Sequence, residues 1–267
     1  MNHCSISRRA FCAAGLAGLA GCASQGLASV AGRRVEVVRR GSGSPAIVLE
    51  AGLGFGASDW GQAPEQLLPR LAAISSVFAY SRPGYGNSEG TNASRDPVTI
   101  ARELRQLLAV SNVAPPFVLV GHSLGGLYAQ VFAALHPADT AGLVLIDSTH
   151  PRQWAEMKAR AARDATLVSM LSVTFAPTMR REFEASKEEP GVLATRYLGP
   201  VALLAARRPD PVASAAFVQM RQELMADLAE RYRTSVQLVD AGHFIHREQP
   251  ALVAEAVRRV VADARRP

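Results

Sequence analysis

Cysteine is nearly missing from this 267-residue chain, and the three that occur, Cys4, Cys12 and Cys22, all fall within the first 22 positions. Beyond them there is no thiol, which excludes a disulfide framework, a thiolate metal site and a cysteine nucleophile from the body of the protein. No His-Glu-x-x-His pair or comparable histidine–carboxylate spacing occurs, so no metal and no other cofactor is implied. Gly52-Leu53-Gly54-Phe55-Gly56 lacks the Lys-Ser/Thr ending that a phosphate loop needs. Aromatic residues are few, at 6%, and form no stripe with basic residues, so the formal charge of +6 does not point to nucleic acid. Without Arg8 and Arg9, which lie in a segment expected to be removed, 27 basic residues face 23 acidic ones and the net falls to +4. A long apolar run is also lacking: Cys12 to Ala20 is too short to span a bilayer as a helix. What remains, 48% hydrophobic and 19% charged, is ample for one buried core.

The first 22 residues read as an export signal. Ser7-Arg8-Arg9-Ala10-Phe11 precedes the short apolar run and resembles a twin-arginine signal. Leu19-Ala20-Gly21-Cys22 resembles a bacterial lipobox, with small residues at both positions before the cysteine. The resemblance implies lipidation of Cys22, a mature chain starting there, and attachment to a bacterial membrane on the periplasmic side. Residues 22–32, rich in Ala, Ser, Gln and Gly, read as a flexible tether, with the folded domain expected over 33–267.

From Val35 onward, apolar runs of strand length alternate with amphipathic stretches. Ala46-Ile47-Val48-Leu49, Val77 to Tyr80, Phe117 to Val120, Leu143 to Ile146, Val201 to Leu204 and Val236 to Val239 carry the marks of strands, most of them covered on both faces. Ile100 to Leu108 and Leu124 to Leu135 have helical periodicity. The alternation predicts an α/β fold, a mostly parallel sheet with helices on both faces. Residues 151–199 break the rhythm, being helical and charged, and read as a cap over the C-terminal sheet edge.

One segment carries the chemistry. Phe117-Val118-Leu119-Val120 runs directly into Gly121-His122-Ser123-Leu124-Gly125-Gly126, and a helical pattern follows at once. A sharp strand-to-helix turn of Gly-x-Ser-x-Gly type lifts a hydroxyl off the sheet edge, and its glycines are required because a Cβ would collide across the turn. The helix N-terminus beneath offers N–H groups to a developing oxyanion. Gly121 to Gly126 resembles the nucleophile elbow of the α/β-hydrolase superfamily. The similarity continues through Tyr80-Ser81-Arg82-Pro83-Gly84-Tyr85-Gly86-Asn87-Ser88, Gly142 to Asp147, Gly242-His243-Phe244-Ile245-His246 and Gln249-Pro250.

The resemblance implies an eight-stranded sheet of that type, with Ser123 as nucleophile and the base on the loop after the last strand. His243 comes first on that loop, and His246 reads as the start of the final helix. Leu124 N–H and Leu53 N–H are the expected oxyanion donors, although Ala51 stands where the family commonly has a histidine that braces the loop. The acid has two candidates. Asp210 follows the seventh strand, the usual position, but sits between Pro209 and Pro211. Asp147 ends the sixth strand and is preferred because active-site residues gather at strand C-termini. The chemistry expected is hydrolysis of a small-molecule ester or related acyl bond. Serine at the elbow argues against epoxide and haloalkane hydrolysis, which this fold performs with aspartate there; cofactor-free haloperoxidase or carbon–carbon hydrolase chemistry, and a slow or non-turnover ligand receptor, are the alternatives. Trp154, Met157, Met170 and Phe175 suggest an apolar pocket under the cap, or simply core.

Overall fold

A computed structural model of the chain describes residues 24–161, 176–187, 191–195, 197–211 and 213–266. Eight strands form one sheet: β1 (Ser24–Val30), β2 (Arg33–Arg40), β3 (Ala46–Glu50), β4 (Val77–Tyr80), β5 (Phe117–His122), β6 (Thr140–Ile146), β7 (Val201–Ala206) and β8 (Val236–Val239), in the order β1-β2-β4-β3-β5-β6-β7-β8. The β1–β2 and β2–β4 pairs are antiparallel, and all others are parallel.

The central strands are apolar on both faces because helices cover both. On β3, β5 and β6 successive residues face opposite layers: Val48, Leu119, Leu143 and Leu145 join one core, while Ile47, Leu49, Val118, Val120, Val144 and Ile146 join the other. The first layer is closed by α2 (Pro97–Val110) and α3 (Leu124–Leu135), the second by α1 (Leu67–Ala72) and the last helix of the chain. Helix α2 shows why such segments fold as they do. Asp96 caps it by accepting from Thr99 N–H at 2.9 Å, Pro97 opens its first turn, and Ile100, Leu104, Leu107 and Leu108 recur on the buried face.

The stretch expected as a tether is instead ordered from Ser24. Strand β1 pairs with β2 along its whole length, from Ser24↔Arg39 to Val30↔Arg33. Ala31 and Gly32, both at positive φ (47° and 76°), make the two-residue turn whose twist suits a hairpin. Its small polar residues read as linker because β1 is an edge strand with little apolar burial; Val30 is its one buried residue, and ladder hydrogen bonds specify the rest. Cys22 lies outside the described residues.

Between β6 and β7 lie α4 (Gln153–Ala161) and α5 (Pro177–Ala185). Residues 162–175, with Met170 and Phe175, lie outside the described residues. Met157 packs with Met220 and Leu224 of α6 (Ala215–Tyr232) and is core, while the Trp154 ring meets Phe183 of α5 edge-on at 4.6 Å. After β8 the chain forms the short α7 (Ile245–Glu248) and then α8 (Pro250–Ala264). No helix among the described residues is long and apolar enough to cross a membrane.

Candidate active site

Ser123 stands between β5 and α3 with φ 54° and ψ −124°. A non-glycine residue held in a sparsely populated region of this kind costs about 1–3 kcal/mol and persists only where its surroundings impose it. Here they do. Ser123 N–H donates to Ile146 O at 3.0 Å, and its carbonyl accepts from Gly126 N–H and Thr149 N–H, both at 2.9 Å. The flanking glycines are obligatory in space. A Cβ on Gly121 would lie 2.6 Å from Gly125 O, and one on Gly125 would lie 2.1 Å from Glu50 O. Leu124, buried, opens α3 directly behind the serine.

The carboxylate that meets His243 is that of Asp147. His243 Nδ1 and Asp147 Oδ2 are 2.6 Å apart, with the ring 41% exposed and the carboxylate nearly buried. Asp147, at positive φ (42°) just past β6, is held from three sides. Its N–H donates to Leu204 O, and its Oδ1 accepts from Ala206 N–H at 3.2 Å and faces Arg221 Nη2 at 3.0 Å. Burial would push this carboxyl up, but Arg221 and the His243 hydrogen bond outweigh it and hold the group well below the usual carboxylate range. Asp210 lies instead in the turn beyond β7, where its carbonyl accepts from Ala213 N–H. Arg221, on α6, also donates to the carbonyls of Asp147 and Ser148 and to Gln153 Oε1. Nothing in its helical sequence context marks it as a site residue.

His122, beside the nucleophile, links serine and histidine. Its Nε2–H donates to His243 O at 2.9 Å, and its ring packs 4.7 Å from the His243 ring. Because a carbonyl can only accept, the proton sits on Nε2, and Nδ1 is left buried without a partner among the described residues. Burial, then His246 and His243, push the His122 pKa well below its ordinary value and keep the ring neutral. His246 is buried behind it, ring centroids 4.4 Å apart, with Nε2 3.2 Å from Asp59 Oδ2. Asp59 also pairs with Arg247. Asp59, His122 and His246 offer donor atoms within 4.8 Å of one another, the nearest approach to a metal-ligand set among the described residues. Asp59 is engaged by His246 Nε2 and Arg247, and His122 Nε2 by the His243 backbone, while the Nδ1 atoms of His122 and His246 are buried without a partner among the described residues.

The loop after β3 lies against the nucleophile: a Cβ on Gly52 would come within 3.3 Å of Ser123 Cβ and 3.2 Å of His122 Nδ1. Half-buried Leu53 follows. The bracing that Ala51 cannot supply comes from buried Arg82, whose Nη1 donates to Ala51 O at 2.6 Å and whose Nη2 donates to Gly52 O at 2.7 Å. Arg82 stands in the Ser81-Arg82-Pro83-Gly84 motif, so the segment was conspicuous in the sequence while the arginine's target was not.

Residues 47–256 match the alpha/beta hydrolase family, and the chain belongs to it. The uncharacterized protein YqjL of Bacillus subtilis (strain 168) is 26% identical over 223 residues, which is 82% of this chain and 84% of that protein. Among solved structures, Est816, described as an N-acyl homoserine lactone degrading enzyme, superposes with a TM-score of 0.63 at 20% identity, over 88% of this chain and 99% of that one. The epoxide hydrolase CorEH does so with a TM-score of 0.60 at 19% identity, over 91% of this chain and 100% of that one. At such identities the likeness is one of fold.

Proposed function

We propose that this alpha/beta hydrolase is a serine hydrolase that cleaves a carboxylic ester or related acyl bond through an acyl-serine intermediate. The observation that carries this reading is a strained, half-buried Ser123 at the C-terminal end of β5, on the same sheet edge as a histidine already bonded through Nδ1 to a buried carboxylate at 2.6 Å. In the first half-reaction the Ser123 oxygen attacks the carbonyl carbon while His243 takes the hydroxyl proton. That proton then goes to the departing alcohol. Water, deprotonated by the same imidazole, attacks the acyl-serine and releases the acid, returning the proton to Ser123. Asp147 keeps the ring in the Nδ1–H tautomer and stabilises the imidazolium. Leu124 N–H and Leu53 N–H receive the oxyanion. A serine at the elbow cannot form the alkyl-ester intermediate that epoxide opening by this fold uses.

A fluorophosphonate probe tests the reading directly. The wild-type domain should be labelled and should hydrolyse p-nitrophenyl esters of short to medium chain, and Ser123→Ala should lose both; a wild type inert to the probe and to every ester would point to the receptor alternative.

Export and lipidation of Cys22 belong to the same proposal, supported by the Arg8-Arg9 and Leu19-Ala20-Gly21-Cys22 motifs. With Cys22 as the lipidated N-terminus, one residue separates it from β1, and the open end of the β1–β2 hairpin, where Ser24 pairs with Arg39, would sit close to the bilayer. Cys22→Ser should move the protein from the membrane fraction to the soluble one; unchanged membrane retention would count against the anchor.

A further inference from the structure

The oxyanion loop is a weak place in the structure on its own. Ala51, Gly52 and Gly54 give it little side-chain packing, yet a hydrogen-bond donor misplaced by about 1 Å can cost about a hundredfold in rate. Whatever fixes Gly52 and Leu53 therefore fixes catalysis. Resting on the serine hydrolase reading above, we propose that Arg82 is the positioning residue of the oxyanion hole and that Glu182 of α5 holds Arg82 in register, so that the seating of this cap helix sets the geometry of the hole.

The geometry follows from the peptide group. In a trans peptide the C=O and the N–H of the next residue point in opposite directions. Arg82 Nη2 binds Gly52 O, so the plane of the Gly52–Leu53 peptide is pinned and Leu53 N–H is turned away from the guanidinium. Nη1 does the same for the Ala51–Gly52 peptide. The guanidinium is itself fully committed. Nη1 also donates to Glu50 Oε1 at 2.7 Å, while Nε and Nη2 reach Glu182 Oε1 at 3.1 and 2.8 Å, so all five N–H groups have acceptors. Glu50 is further bound by the Tyr80 hydroxyl at 2.5 Å, and burial pushes its carboxyl up against the pull of Arg82. The rings of Tyr85 and Tyr128 lie 5.3 and 5.2 Å from the guanidinium carbon. Only a planar fork serves two carboxylates and two carbonyls together; an ammonium cannot.

Glu182 belongs to the cap and not to the sheet, and its side chain is fully buried. The same helix touches the loop a second time. A Cβ on Gly54 would lie 2.7 Å from Met179 Cε, and one on Gly84, two residues beyond Arg82, would lie 2.7 Å from Thr178 Cγ2. One helix thus presses on the loop directly and through Arg82. A shift of α5 would withdraw a buried carboxylate from a buried cation and free the two carbonyls that orient the donors.

The test separates binding from transition-state stabilisation. Wild type, Arg82→Lys and Glu182→Ala are compared for acylation rate and KM with p-nitrophenyl butyrate, and for affinity for phenylboronic acid, whose tetrahedral serine adduct mimics the oxyanion. With native circular dichroism retained, Arg82→Lys should lower the acylation rate by about ten- to a hundredfold and boronate affinity by a similar factor, with KM within about twofold. Glu182→Ala should show the same split with a smaller factor. Wild-type acylation and boronate affinity in a folded Arg82→Lys, or a loss confined to KM, would overturn the proposal. Should Arg82→Lys fail to fold, Glu182→Ala decides, and unchanged acylation there would overturn it. A wild type inert to the fluorophosphonate probe would defeat the hydrolase reading itself; a labelled wild type with equally labelled variants would defeat this inference alone.

Discussion

Asp147 carries an unusual set of obligations for one carboxylate. It bonds the His243 ring, takes a backbone N–H from Ala206 and sits 3.0 Å from a guanidinium, all at a positive φ. The cation draws negative charge away from the imidazole while fixing the oxygen that faces it. Loss of the carboxylate should therefore be far worse than loss of the alternative. Asp147→Asn is expected to lower kcat by about 10⁴-fold by favouring the wrong tautomer, as such replacements do in other triads, whereas Asp210→Asn should stay near wild type. Steady-state kinetics on one ester check both, and comparable losses in the two variants would undo the assignment. Choosing between these aspartates from the sequence rested on a tendency of strand ends; the deciding fact is a 2.6 Å contact between residues 96 positions apart.

The elements differ in how much of their stability is local. Helix α2 carries its own start signal, since Asp96 accepts from both the backbone N–H and the hydroxyl of Thr99. Asp96→Ala should cost about 1 kcal/mol, read as a lower urea midpoint with unchanged slope, because a cap contributes on that order. An unchanged midpoint would mean the cap is not used. Strand β1 is the opposite case. Nothing in its seven residues announces a strand, and it is specified by the ladder that β2 offers and by the turn at Ala31 and Gly32. Helices α4 and α5 lie between: residues 151–199 read as helical from the sequence without resolving the two helices, and the fate of Glu182, buried against Arg82, depends on a segment a hundred residues earlier.

The whole domain should feel pH through its buried imidazoles and its acid. His122 has a folded pKa below its unfolded value, so below about pH 6.5 the unfolded chain takes up a proton that the folded one refuses, and stability falls as pH drops. Asp147 is depressed in the folded state, so its contribution is complete above about pH 4 and fades below that. Guanidinium midpoints should therefore decline from pH 8 to pH 5, and His122→Asn should flatten that part of the curve. A flat wild-type profile over this interval would contradict a buried neutral His122.

The order of apolar runs was enough to give a parallel sheet with helices on both faces, because burial on both faces forces continuous hydrophobic strands. Gly121 to Gly126 was enough to give the elbow, because only glycine tolerates the contacts of that turn, and these signals are local in the chain. The partnerships are not local. Which aspartate faces His243, which arginine supports the loop after β3 and which cap residue supports that arginine are set by side chains brought together from distant positions. A lone Arg82, Glu182 or Arg221 carries no record of its partner until the sheet and the cap have closed around it.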